Sequence, residues 1–355
     1  MAKTYNRIFP EVYDFEALCS AHQRARRGKR YRGEVLRFSR NLEPELIQLQ
    51  NELTWGSYRT GPYRYFYVHE PKTRMVASLP YRDRVVQHSL VAAIEPIWEA
   101  RFLHDSYACR PGKGMHAGAD RAQDFMRRIQ RNHGKVYALK ADISKYFPSI
   151  DHGVLKALVR RRIACPGTLW LLDEIIDSSA DPDDPAPAGI PIGNLTSQLL
   201  ANVYLHELDK FVKRELREPY YLRYMDDFVV MGPDKDHLHR IRQDIEAFLW
   251  ERLRLTTNDK TQVFPVAHRQ GRGLDFLGFR MWPTHRRLRK QSIRRMRRKM
   301  RAYARRYAAG RVDLDQVGAS VQSWVGHASH ADTHQLRAQV LGERTFTRTG
   351  GAEDG

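Results

Sequence analysis

Three aspartates in this 355-residue chain stand where like charges would be forced together. Asp142 ends the apolar run at 136–139 after Lys140-Ala141, and Asp226 and Asp227 lie between the apolar runs 220–224 and 228–231. Two unit charges about 4 Å apart repel by roughly 4 kcal/mol at an effective dielectric near 20, so a fold that converges them needs a cation. Mg2+ suits carboxylate oxygens and substrate phosphates. Two such ions about 3.5 to 4 Å apart can activate an attacking hydroxyl while stabilising a leaving pyrophosphate. The chemistry these residues point to is nucleotidyl transfer. An Asp-Asp dipeptide in a turn is also a common solvated feature. Its apolar flanks, and the aromatic Phe147 in ADISKYFPSID around Asp142, favour the chemical reading.

The elements that must position these groups follow from pattern. Residues 136–139 read as a strand, and 152–163 as a helix starting after Asp151. The runs on either side of Asp226-Asp227 suit a hairpin whose tip presents both carboxylates, closed by Gly232-Pro233. SSADPDDPAPAGIP, at 178–191, is a loop, and LTSQLLANVYLHELDKFVKREL after it is one long helix. Residues 1–60 form an amino-terminal helical region, and from Tyr63 to Arg101 aromatic and apolar segments precede a helix, as in a small sheet with a helix against it. Between 284 and 308, Ile293, Met296, Met300, Tyr303 and Tyr307 fall three and four apart among arginines, an amphipathic helix with a cationic face. A second helical region spans about 313–342, and the tail 343–355 is expected to be disordered.

Lys and Arg total 60 against 41 Asp and Glu, a net charge of +19, which usually meets a polyanion; nucleic acid leads, with an anionic membrane far behind. On the cationic helix, Lys290, Arg294, Arg298, Arg301 and Arg305 would lie along a template–primer backbone. Cys19, Cys109 and Cys165 are widely separated, which suggests neither a disulfide framework nor a zinc site and fits a reducing cytoplasm. No apolar run is long enough to span a bilayer and the start lacks a signal-peptide core, so no membrane is expected. His327, His330 and His334 are spaced suitably for a metal but lack an acidic or thiol partner nearby, which favours packing or RNA contact.

ADISKYFPSID, GIPIGNLTSQLLANVYL and YMDD, in that order, resemble the first three palm motifs of reverse transcriptases. TTNDKT at 256–261 is similar to the motif carrying a lysine near the triphosphate, and LDFLGFRM at 274–281 to the primer-grip turn, Phe276, Leu277 and Gly278. KTRMVASLPYRDRVVQ and SYACRPGKGMHAG resemble finger motifs of group II intron and related bacterial enzymes. The resemblance covers roughly residues 60–340. It implies an α+β, right-hand polymerase: fingers at 61–135, palm (an antiparallel sheet with helices) at 136–270 with finger elements returning near 152–190, a primer-grip turn at 271–283 and a helical thumb at 284–342. It makes Asp142, Asp226 and Asp227 the metal-binding carboxylates for two Mg2+ ions. Phe147 becomes the gate against a ribose 2′-hydroxyl, with Arg74 and Lys260 at the triphosphate of an incoming deoxynucleotide.

The second motif departs from most relatives, which carry Gln-Gly at its start; here Ile192 and Gly193 open IGNLTSQ, which ends at Gln198. IGxxxSQ resembles the reverse transcriptases of diversity-generating retroelements, as does the stretch SVQSWVGHASHADTHQLR. That resemblance implies a bacterial or phage enzyme that copies a template-repeat RNA into cDNA with errors at adenines, working with a small basic accessory protein. Ile192, Gly193 and Gln198 would then border the incoming nucleotide, and Gln-to-Ile removes an amide that could hydrogen-bond there. The alternatives are a group II intron or retron type polymerase, or a catalytically silent RNA-binding protein with the same fold. Against the intron type, the length after the thumb leaves no room for a maturase or endonuclease domain; against the retron type stands the second motif, and against the silent protein stand the three aspartates.

Overall fold

A computed structural model of the chain describes residues 3–69, 73–180 and 184–348. Helices α1 (Phe9–Tyr13), α2 (Phe15–Ala25), α3 (Gly33–Arg40) and α4 (Leu42–Thr54) open it. Strands β1 (Arg64–Val68) and β2 (Arg74–Ser78) pair antiparallel, with Phe66 opposite Val76. Helices α5 (Tyr81–Glu99) and α6 (Met115–His133) precede β3 (Tyr137–Asp142), α7 (His152–Arg160), α8 (Pro166–Asp177) and α9 (Leu195–Lys210). The hairpin β4 (Tyr221–Tyr224) and β5 (Asp227–Gly232) follows, then α10 (Lys235–Leu253) and β6 (Gln262–Pro265). A meander of β7 (Leu274–Phe276), β8 (Phe279–Met281) and β9 (Arg286–Leu288) leads to α11 (Lys290–Ala308), α12 (Leu314–Ala328) and α13 (His334–Gly342).

Strands β3 to β6 form one sheet in the order β4-β5-β3-β6. The chain divides into two compact units: Met1–Lys113 with Lys140–Phe228 and Arg240–Thr261, and Gly114–Leu139 with Val229–His239 and Gln262–Gly355. In the first, α5 and α9 are buried on nearly every side, through Val85, Leu90 and Ile94 on one and Leu200, Val203 and Leu208 on the other. All-round burial marks a central helix rather than a surface one. Asp151 starts α7 as expected, its carboxylate accepting from the Val154 amide at 2.8 Å. The long helix beginning at Leu195 is not one α-helix throughout: it gives way to a π-helical turn at Phe211–Glu215, where Phe211 stacks on Phe248 with ring centroids 4.2 Å apart.

In the second unit, the Gln123 amide donates to the Trp282 carbonyl at 3.2 Å and Arg127 to that of Pro283 at 2.9 Å, tying α6 to the meander. Met296, Met300 and Val340 form the core among α11 to α13, with Ile293 and Trp324 against it. Phe346 also packs there, so 343–348, expected to be disordered, lies against the helices because an aromatic side chain gains by leaving water. The rest of that tail lies outside the described residues.

Beneath the β4–β5 hairpin is a feature the sequence did not announce. Arg223, with no exposed surface, donates to both oxygens of buried Asp209 at 2.7 Å, to Asn202 at 3.2 Å and to Ser106 at 3.0 Å. Tyr221 adds a 2.6 Å hydrogen bond to the same carboxylate. Burial pushes the Arg223 pKa down, but Asp209 more than reverses this, so the guanidinium stays charged. Its remaining donor reaches the Met225 carbonyl at 3.0 Å, which fixes the turn between the two strands. Removing one partner of a buried pair strands the other charge. Asp209→Asn is expected to cost about 3–5 kcal/mol in urea unfolding, and Asp209→Leu with Arg223→Met markedly less; a single-variant loss below about 1 kcal/mol would contradict this account.

Candidate active site

The β4–β5 turn consists of Met225 and Asp226, with Asp227 already the first residue of β5. Met225 has φ +56°, a conformation unfavourable for a residue with a Cβ and held here by the surrounding bonds. The Asp226 carbonyl accepts from the Ile143 amide at 3.3 Å, which brings the turn to the end of β3 and its carboxylate to Asp142. Asp142 and Asp226 are both half-buried. Burial raises the Asp226 pKa first, and Asp142 raises it further by its charge and by a carboxyl–carboxyl hydrogen bond; Arg74 acts the other way.

Asp227 is placed differently. Burial, together with Asp142 and Asp226, pushes its pKa up to about 6 against the opposing effect of Lys140. Lys140 Nζ lies 2.9 Å from Asp227 Oδ1. That oxygen has no partner of hydrogen-bond geometry, so the contact is an ion pair rather than a directed bond.

The segment around Asn258 completes the site. Its backbone runs beside the end of β3: Ser144 donates to the Thr256 carbonyl at 2.8 Å and Asn258 to that of Asp142 at 2.9 Å. The Asn258 amide then donates to Asp142 Oδ2 at 2.6 Å, while its oxygen accepts from the Lys260 amide at 2.9 Å. Lys260 is left exposed beside it. Asn258 and Lys140 were both missed from sequence. Lys140 carried a signal, since two residues apart on a strand puts it on the same face as Asp142; a polar Asn in a polar loop carried none.

Around these groups, Phe147 is half-buried on a 3₁₀ turn and its carbonyl accepts from the Ile190 amide at 3.0 Å. The Ile192 carbonyl accepts from the Ala77 amide at 2.9 Å, laying the start of the second motif along β2. Gly193 has φ +124°, and a Cβ there would sit 2.6 Å from the Ala77 oxygen, so glycine is required by backbone approach. Gln198 is partly exposed in the first turn of α9. Nearby, a cleft of about 820 Å³ is walled by Gly193, Phe66 and a group of cations including Lys29, Arg32, Arg64 and Arg82. The buried Gln87 amide nitrogen on its lining has no hydrogen-bond partner.

In the second unit, Phe276 is fully buried, and Leu277 and Gly278 form the β7–β8 turn with φ of 50° and 84°. Both positive values mark a type I′ hairpin. Lys290, Arg294, Arg298, Arg301 and Arg305 are exposed on α11. The ring of His327 lies near those of His116 and Phe279, and His116 stacks on His330 at 3.7 Å, so His327 and His330 serve packing, while His334 is exposed at the start of α13.

Among the described residues no three His, Cys, Asp or Glu side chains are arranged to hold a metal ion by themselves. The Asp142–Asp226 pair nevertheless has the donor set a hard divalent ion takes. Such an ion would complete its shell from outside the chain. Among the described residues no helix is long and apolar enough to cross a membrane.

Residues 69–281, more than half of the chain, match the family model for reverse transcriptase (RNA-dependent DNA polymerase). Protein YkfC of Escherichia coli is 29% identical over 278 residues, 68% of this chain and 72% of that one. The group II intron-encoded protein LtrA of Lactococcus lactis is 27% identical over 177 residues, 48% of this chain and 28% of that one. The chain therefore spans little more than a quarter of LtrA. A telomerase from Candida albicans, solved with the TWJ fragment of telomeric RNA, superposes with a TM-score of 0.48 at 9% identity, over 81% of this chain and 58% of that one. The chain belongs to the reverse transcriptase family, the RNA-dependent DNA polymerases.

Proposed function

We propose that this enzyme copies a template-repeat RNA into cDNA as the polymerase of a diversity-generating retroelement. The observation that carries the polymerase chemistry is the convergence of Asp142 and Asp226, from a strand end and a hairpin turn, at the cost of raised carboxyl pKa. Asp142, Asp226 and Asp227 would hold Mg2+, with Lys140 paired to Asp227 beside them. The ions supply activation of the primer 3′-hydroxyl and stabilisation of the leaving pyrophosphate. Asn258 orients the Asp142 carboxylate, while Arg74 and Lys260 take the triphosphate. Phe147 crowds a ribose 2′-hydroxyl.

The cationic cleft bounded by Gly193 suits the template backbone, and the exposed arginines of α11 suit the template–primer duplex. Phe276 to Gly278 form the primer grip. In this reading the described elements are distributed as fingers, palm and helical thumb. The retroelement assignment rests on IGNLTSQ, and with it comes a small basic accessory protein as partner. A group II intron type polymerase is the second reading, favoured by the match to LtrA.

Primer extension on an RNA template with Mg2+ is expected to give cDNA, and Asp226→Asn to lower the rate by about a hundredfold or more, since a metal-bound carboxylate supports several kcal/mol of transition-state stabilisation. An equally active variant would overturn the mechanism. Sequencing the cDNA tests the subtype: Ile192→Gln is expected to reduce misincorporation opposite adenine, by the roughly 1 kcal/mol that a recovered hydrogen bond contributes. An unchanged error spectrum counts against it.

A further inference from the structure

A second concavity, of about 820 Å³, lies within the first unit between α7, the π turn that ends α9, and α10. Its floor is apolar: Val154, Leu158, Phe211, Leu216 and Phe248 line it. Its rim is acidic, from Glu207, Glu215, Asp244 and Glu251, against two cations, Arg161 and Arg252. Glu207 is already paired, with Arg161 at 3.2 Å and Lys210 at 2.6 Å. Glu215, Asp244 and Glu251 have no ion pair among the described residues and are exposed.

In a chain of net charge +19, a rim of this sign stands against the average and repels the phosphates that the rest of the surface attracts. The acidic rim disfavours nucleic acid as the occupant. The π turn sets Phe211 on Phe248, so two aromatic rings stack in the wall of an open groove. An apolar floor between carboxylates is the complement of a helix with one apolar face flanked by Lys or Arg.

We propose that this groove is a docking site for a basic amphipathic helix of a protein partner, with its apolar face on Phe211 and Phe248 and its cations on Glu215, Asp244 and Glu251. The proposal depends neither on the polymerase mechanism nor on the retroelement reading.

The test uses the full chain without added nucleic acid, whose phosphates would themselves bind a cationic peptide. A fluorescent peptide of about five helical turns, roughly 18 residues, with Leu on one face and Lys and Arg on the other, is titrated by anisotropy. Asp244→Lys with Glu251→Lys is expected to weaken binding at least tenfold, about 1.4 kcal/mol, with primer extension unchanged. Phe248→Glu should weaken it too, and the charge reversal, made at exposed positions, covers the case in which Phe248→Glu misfolds. Equal binding of the reversed chain overturns the proposal. So does equal affinity for a peptide of the same charge with Ser in place of Leu. Self-association abolished by the charge reversal would give the groove to a second copy and overturn the assignment to a partner.

Discussion

A guanidinium wholly removed from water is tolerable only with a carboxylate fitted to it, and the Arg223–Asp209 pair meets that condition with two bonds of 2.7 Å. What makes the pair central is what its remaining donors do. Through Asn202 and Ser106 it reaches α9 and the segment after α5, and through the Met225 carbonyl it holds the turn that carries Asp226. The strained backbone at Met225 and the repulsion between Asp142 and Asp226 both favour relaxation of that turn. A buried, charged anchor directly beneath opposes it. Rigid support under an electrostatically uncomfortable site is what preorganisation requires.

Much of the site's framework is legible in the sequence. The strand ending at Asp142, the helix capped by Asp151 and the hairpin bearing two carboxylates follow from apolar periodicity and turn residues, because those signals are local. The π turn at Phe211 was not legible, since a π turn and an α turn suit the same residues and the choice comes from packing. Arg223 was equally hidden: an arginine on a four-residue strand reads as solvated charge, and only the distant Asp209 and Ser106 make it core. Asn258 illustrates the same limit, for its partner Asp142 is 116 residues away.

The second motif shows how one segment can answer to two constraints. Gly193 is dictated by the Ala77 carbonyl, a matter of backbone clearance alone, whereas Ile192 next to it meets β2 through a main-chain hydrogen bond, its carbonyl accepting from the Ala77 amide. A substitution at Ile192 keeps the carbonyl that makes this bond, whereas one at Gly193 puts a Cβ against the Ala77 oxygen. The acidic groove by α10 makes a comparable point for the surface: on a strongly basic chain, a local reversal of sign sets one face apart from the rest.

The separation between Asn258 and Asp142 also has a kinetic side. The aspartate, the turn and the asparagine come from three stretches spread over more than a hundred residues, so loop closure must precede any of the contacts that reward it. During synthesis Asp142 emerges long before the segment that orients it, which lies 116 residues further along. A chain released before residue 258 would carry all three aspartates without the group that hydrogen-bonds the first of them.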